Sequence, residues 1–389
     1  MSTVPEIKEI DSAMLTGPVQ KALENKNAEI RHWECHSIRY INTEVSNLGL
    51  YRFNGTARDG TEDYPWSMIL KAFDAPVNET DPTYWNYHRR EIFAYEEGLL
   101  LALPGGLAAP RCFGISKYSN GVCWLWLEDI PGPADVPWSL TEYAQVARHL
   151  GQFNGAYLID HPLPDFPWLS RHWMRGWLGY YEASGREVLA LLQDKHFWQH
   201  PVLRNAFSES ITADVLQLWK RHDQLLNTLD RLPQTFCHMD AYRPNLFLRQ
   251  DSRGSNQTVA VDWAFTGIAA LGEEIANLLA ASLIWLECDA GEAKRLDEAV
   301  FSSYLNGLRE AGWQGNPRIA RLGYTASCAL RWGIVGLWWL RSLGDSGKET
   351  ELETHWNRPL PQLASQWGKT FLYIQGLTEE AYQLQQDLF

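Results

Sequence analysis

The segment His238-Met239-Asp240-Ala241-Tyr242-Arg243-Pro244-Asn245, followed at Val259-Ala260-Val261 by Asp262, carries the side chains of this chain best suited to chemistry. It sets a carboxylate, an amide and a second carboxylate at H-x-D-x-x-x-x-N … apolar-Asp spacing. Such a set suits phosphoryl transfer. Asp240 can meet an attacking hydroxyl, while Asn245 and Asp262 hold magnesium ions on the phosphates of a nucleotide. That reaction asks mostly for positioning and for neutralisation of charge. Mg²⁺ takes few protein oxygens and completes its shell with phosphates and waters, which matches a donor set this small. A metallohydrolase built on His238, Asp240 and Asp262 is the competing chemistry, but no second histidine is spaced to complete its ligand shell.

Short strands must hold such a loop. Phe236 and Cys237 fit an incoming strand, and Leu246-Phe247-Leu248 an outgoing one. Residues 258–261 fit a third, which brings Asp262 opposite Asn245. Upstream, residues 1–34 read as a helical lead-in. Residues 37–44 and 48–57 alternate as strands around a Ser46-Asn47 turn, residues 66–73 form a further strand and residues 84–103 a helix. Residues 122–130 form an apolar strand closed by Pro131-Gly132-Pro133, read as the join between two lobes. Helical spacing then dominates over 140–158, with Ser139 or Thr141 as cap, and over 173–193, 211–232, 275–286, 295–311, 319–343 and 360–386. Residues 344–354 read as a polar surface loop. Strands first and helices after imply an α+β fold of two lobes, spanning residues 1–130 and 131–389.

The motif, with Leu246-Phe247-Leu248 after Asn245 and Val261-Asp262-Trp263 beyond, resembles the aminoglycoside phosphotransferase/choline kinase family of small-molecule kinases. The resemblance extends over residues 36–343 and implies the two-lobed protein-kinase-like fold, with a small antiparallel β lobe and a large helical one. It also implies ATP or another NTP, with Mg²⁺, as cofactors. By that resemblance Asp240 is the catalytic carboxylate, Asn245 and Asp262 are metal ligands, and His238 steadies the loop. Lys71 in Met68-Ile69-Leu70-Lys71-Ala72 resembles the strand lysine that contacts the α/β-phosphates, and Glu91 its helix partner. Strand alternation puts Lys71 on the face opposite Leu70 and Ala72. Leu127-Glu128-Asp129-Ile130 resembles the hinge whose backbone meets adenine.

The departures are specific. No G-x-G-x-x-G is present, so Val45-Ser46-Asn47-Leu48-Gly49 stands in as the phosphate-covering loop. Met239 precedes Asp240 where relatives have glycine, and Tyr242-Arg243-Pro244 replaces His-Pro-Gly. Arg243 is read as a cation beside the γ-phosphate, with a structural salt bridge as the alternative. Gly272-Glu273-Glu274 … Asn277 stands where relatives have Gly-Asp … Asp.

Composition narrows the remaining classes. At 389 residues, with 45% apolar and 21% charged residues, the chain is a globular protein of more than one core. A net charge of −13 without a Lys/Arg block argues against nucleic acid as a partner. No apolar run is long enough for a membrane span, and residues 1–26 lack the pattern of a signal peptide. Six cysteines without C-x-x-C spacing read as reduced thiols of a cytoplasmic enzyme. The nineteen tryptophans serve mainly to pack cores and lobes.

The reading is thus an ATP-dependent phosphotransferase acting on a hydroxyl of a small aminoglycoside-, amino-alcohol- or sugar-like acceptor. Residues 173–181, 273–289 and 331–341 are expected to build the acceptor pocket. The alternative is a kinase-shaped nucleotide-binding module without catalysis. Protein phosphorylation ranks below both, since no peptide-docking segment is evident between Asp262 and Gly272.

Overall fold

The computed structural model describes residues 7–38, 47–74, 81–118, 121–132, 136–208, 210–251 and 253–389. The chain opens with helix α1 (Ser12–Ala22), capped by Asp11, whose carboxylate accepts from Met14 N at 3.0 Å. Strands β1 (Glu29–Ile38), β2 (Asn47–Asp59) and β3 (Glu62–Phe73) form an antiparallel meander. Short helix α2 (Arg90–Glu96), two-residue β4 (Leu107–Ala108), β5 (Cys112–Lys117) and β6 (Cys123–Glu128) follow. The five-stranded sheet runs β1-β2-β3-β6-β5. Alternation sorts its faces: Met68, Leu70, Ala72, Trp124 and Trp126 pack with Leu15 and Val19 of α1. Phe73, Leu125 and Leu127 pack on the other face with Ile92 of α2. Lys71 therefore shares the α2 face.

The remainder is mostly helical. Helix α3 (Leu140–Ile159) begins in a capping box between Ser139 and Glu142. Helices α4 (Trp173–Leu192), α5 (Pro201–Ala206) and α6 (Ile211–Arg231) lead to β7 (Gln234–Cys237), β8 (Leu246–Gln250), β9 (Asn256–Ala260) and β10 (Gly267–Ala270). Helices α7 (Ala276–Ile284), α8 (Ala293–Glu310) and α9 (Pro317–Ser327) come next. A π-helical segment, Cys328–Gly333, joins α9 to α10 (Ile334–Leu343), and α11 (Glu349–Trp356) and α12 (Leu360–Leu388) close the chain. Gly151 of α3 and Gly307 of α8 let those helices touch. A Cβ at either would lie 2.2 Å or less from a backbone oxygen of the other helix.

Two small sheets frame the loop around Asp240. Strand β7 enters it and pairs with β10, whereas β8 leaves it and pairs with β9. Strand β4 adds to the far edge of β9 in parallel, so residues 107–108 belong to this second sheet rather than the first. Among the described residues no helix is long and apolar enough to cross a membrane.

Several boundaries differ from the sequence reading. Residues 29–34 are strand, not helical lead-in, because β1 edges the sheet and most of its side chains face water, so no clear alternation marks it. The helix expected over 84–103 is only α2, and Gly98 at φ 71° follows its end. The polar loop expected over 344–354 contains the start of α11, whose only buried residue is Leu352. Strand β5 and helix α5 were not anticipated. Ser46 lies outside the described residues, and Asn47 opens β2, its backbone opposite Phe73.

Candidate active site

Lys71 is the hinge of the charged cluster. Its Nζ lies 2.6 Å from Glu91 Oε2 and 2.7 Å from Asp262 Oδ1, with its side chain only 7% exposed. Burial works to lower the Lys71 ammonium, but the carboxylates of Asp262 and Glu91 outweigh it and hold the group firmly protonated. Glu91 uses its other oxygen to accept from Trp263 N at 3.2 Å, so α2 grips the residue after Asp262. Its neighbour Arg90, fully buried, donates to the carbonyls of Tyr84, Trp85, Trp168 and Ala264 at 2.7–3.0 Å. That fan of bonds ties the α2 region to the segments before α4 and after Asp262.

His238 is buried and shifted down to about 4, chiefly by burial, so it is neutral at pH 7. Its Nε2 lies 2.9 Å from Val261 O, and its Nδ1 accepts from Asp240 N at 3.2 Å. The ring thereby bridges the two halves of the motif. Asn245 O accepts from Val261 N at 2.9 Å, a second tie that places Asp262 across from Asn245. Both Met239 (φ 69°) and Asp262 (φ 62°) adopt left-handed backbone, which costs a non-glycine residue roughly 1–2 kcal/mol. Glu274 supports the first of these by accepting from His238 N at 2.7 Å and Met239 N at 3.1 Å. Burial pushes the Glu273 and Glu274 carboxyls up to about 7.

The Asp240 carboxylate is held at both oxygens. Oδ2 accepts from Asn245 Nδ2 at 2.9 Å, and Oδ1 from Arg331 Nη2 at 2.9 Å and Asn277 Nδ2 at 3.4 Å. Burial raises its pKa, Arg331 lowers it and the Asp262 charge raises it, with a net rise. Asn245 Nδ2 also bonds Asp240 O at 3.1 Å, which turns the amide so that its oxygen remains the group to offer a cation. Asp262 could supply the second hard oxygen donor. Among the described residues no three His, Cys, Asp or Glu side chains cluster as a metal-binding set. A two-oxygen site completed by phosphates and water is what the donors fit.

Other expected residues have defined partners. Arg243 Nη1 lies 3.3 Å from Glu287 Oε1, and its Nη2 donates to Val136 O at 2.6 Å. Glu128 accepts from Arg249 Nη1 at 2.9 Å and Arg111 N at 3.1 Å, while Ile130 is buried. Arg331 and Asn277 were not singled out from the sequence as partners of Asp240. Arg331 lies 91 residues downstream, and no local motif marks it. A separate cavity of about 1020 Å³ between α3 and α8, lined by Arg148, His149, Gln152 and Glu310, includes none of the site residues.

The sequence profile of the phosphotransferase enzyme family matches residues 43–313. No curated protein sequence matches the chain. Among solved structures, amicoumacin kinase hAmiN in complex with AMP-PNP, Ca²⁺ and Ami is 14% identical. The match covers 91% of this chain and 94% of that one, at a TM-score of 0.50. A microcompartment-associated aminopropanol kinase is also 14% identical, with 96% of this chain and 100% of that one covered and a TM-score of 0.51. These likenesses are of fold. With the matched profile spanning well over half the chain, this protein belongs to the phosphotransferase enzyme family and is an α+β enzyme of kinase-like architecture.

Proposed function

We propose that this phosphotransferase moves the γ-phosphoryl group of ATP to a hydroxyl of a small molecule, with Mg²⁺ as the bound cation. The observation that carries the reading is the meeting of Lys71, Glu91 and Asp262 in one buried ion cluster beside the Asp240–Asn245 loop. Residues 1–130 form the nucleotide lobe and residues 131–389 the lobe of catalytic loop and acceptor. The nucleotide supplies the phosphoryl group, and the cation neutralises charge on it. Lys71 binds phosphate oxygens, with Glu91 aiming its ammonium. The phosphate-covering role is assigned to Ser46 and Asn47, and contact with the base to the backbone of Glu128 to Ile130. Asn245 and Asp262 hold the cation. Asp240 orients the acceptor hydroxyl and takes its proton late in the transfer.

Arg243 has a structural reading in its contacts with Glu287 and Val136, which link the loop to the segment after α7 and to the approach to α3. An amine-bearing alcohol is the favoured acceptor. Glu287 stands two residues from Trp285, whose ring lies 5.6 Å from Trp339 and 5.7 Å from Trp356. Half-buried indoles can stack on an ammonium group. A binding module without catalysis has no need of Lys71, Glu91, Asp240, Asn245 and Asp262 brought together. We place the enzyme in the cytoplasm, where ATP is supplied and its six free thiols stay reduced.

A panel of amino alcohols, aminoglycosides and sugars, scored by ADP release from Mg²⁺-ATP, tests the reading. Acceptor-dependent ADP release with a phosphorylated product supports it. ATP binding without transfer to any alcohol, under conditions where known kinases of this fold turn over, counts against it.

A further inference from the structure

We propose that Arg331 is a positioning residue for phosphoryl transfer, joining the Met239 carbonyl to the Asp240 carboxylate and fixing both. This rests on the reading of Asp240 as the group that receives the acceptor hydroxyl. Met239 is a non-glycine residue in the left-handed region, so something outside the loop must hold it there. Its peptide groups are gripped from two directions. Met239 N donates to Glu274 Oε1 at 3.1 Å, and Met239 O accepts from Arg331 Nη1 at 2.8 Å and Asn277 Nδ2 at 3.3 Å. Arg331 Nη2 then reaches Asp240 Oδ1 at 2.9 Å. One planar fork spans two consecutive residues, a geometry that lysine cannot copy.

The fork itself is fixed. The guanidinium carbon lies 4.6 Å from the Trp173 ring centroid and 5.4 Å from that of Trp332. Trp332 in turn donates Nε1–H to Asn277 Oδ1 at 2.9 Å. Adjacent residues of the π segment thus reach the same loop, Arg331 directly and Trp332 through Asn277. A π turn within an α-helix recurs at functional positions, and here it aims both side chains at residues 239–240. With Arg331 on Oδ1 and Asn245 on Oδ2, the carboxylate plane is set before the acceptor arrives.

The test measures ADP release from Mg²⁺-ATP with water as acceptor, together with ATP binding by thermal shift. Arg331→Ala is expected to lower kcat by about 10²-fold, the scale of a displacement near 1 Å, while KM for ATP stays within about twofold. Met239→Gly removes the penalty of left-handed backbone, so the Met239→Gly/Arg331→Ala double variant should run about tenfold faster than Arg331→Ala alone. Millimolar guanidinium should also raise the Arg331→Ala rate, and Arg331→Lys should recover little. Arg295→Ala, an exposed residue of α8 that faces Glu292, is the control expected to keep the wild-type rate. A crystal structure of Arg331→Ala should show Met239 leaving positive φ or Asp240 leaving Asn245. Arg331→Ala with kcat within about twofold of wild type overturns the proposal. So does a loss relieved by neither Met239→Gly nor guanidinium, or a loss confined to KM. A wild-type enzyme that neither binds nor turns over ATP defeats the reading of Asp240 itself, a separate result.

Discussion

Lys71 of β3 and Asp262, 191 residues apart in sequence, meet at 2.7 Å between Nζ and Oδ1. That contact joins the large sheet to the loop that follows β9. It also means that a cation taking up the Asp262 oxygen must share it with, or draw it from, the lysine. Lys71 has Glu91 as a second partner at 2.6 Å, so it need not be stranded if Asp262 turns to a metal ion as proposed.

Removing Lys71 leaves the Glu91 and Asp262 carboxylates buried without their common cation. Lys71→Met should destabilise the fold by about 3–5 kcal/mol, and Lys71→Met/Glu91→Leu should regain much of that loss because the uncompensated charge goes with it. Urea unfolding of the two variants checks this. A double variant no more stable than the single one would contradict the pairing.

Glu273 sets a pH dependence. Burial raises its carboxyl from 4.5 to about 7, against the opposing bond from Ala270 N. The folded chain therefore keeps a proton that the unfolded chain releases between about pH 4.5 and 7. The stabilising contribution is full below that window and is lost as pH rises through it. Glu273→Gln keeps the neutral form at all pH, so its stability relative to wild type should grow across the window, by on the order of 3 kcal/mol. His238, with its value lowered by burial, acts in the opposite sense but is common to both proteins. Unfolding free energies at pH 5, 6, 7 and 8 give the comparison.

Arg243 and Glu287 form a pair of largely buried side chains, 13% exposed each. If Arg243 acts through that pair, Arg243→Ala and Arg243→Ala/Glu287→Gln should share one kcat within about twofold, since the second change removes only an abandoned partner. A further drop in the double variant would give Glu287 a task of its own at the acceptor.

The candidate loop was legible because its chemistry is contiguous. His238, Asp240 and Asn245 lie within eight residues, and the apolar strands beside them announce themselves. Lys71 was legible from alternation, since Leu70 and Ala72 pack on one face and leave the lysine to the other. Arg331 was not, because nothing near it in sequence distinguishes it from other helical arginines; only folding brings it to Asp240. Strand β1 and helix α11 were misread for a related reason. Each is largely exposed, so apolar periodicity is faint in both. The helix expected over 84–103 errs the other way: Tyr87 and Leu100 are buried with the helical core, but irregular backbone carries them there.

The most direct measurement is turnover and nucleotide binding of Asp240→Asn with the best acceptor from the alcohol panel. The substitution keeps shape and one accepting oxygen while removing the charge and the basic oxygen; its amide nitrogen has to face the donors of Asn245 or of Arg331 and Asn277. kcat should fall by about 10²–10⁴-fold, with the thermal shift given by Mg²⁺-ATP preserved. Turnover close to wild type would contradict the assignment of Asp240, and with it the account of this site.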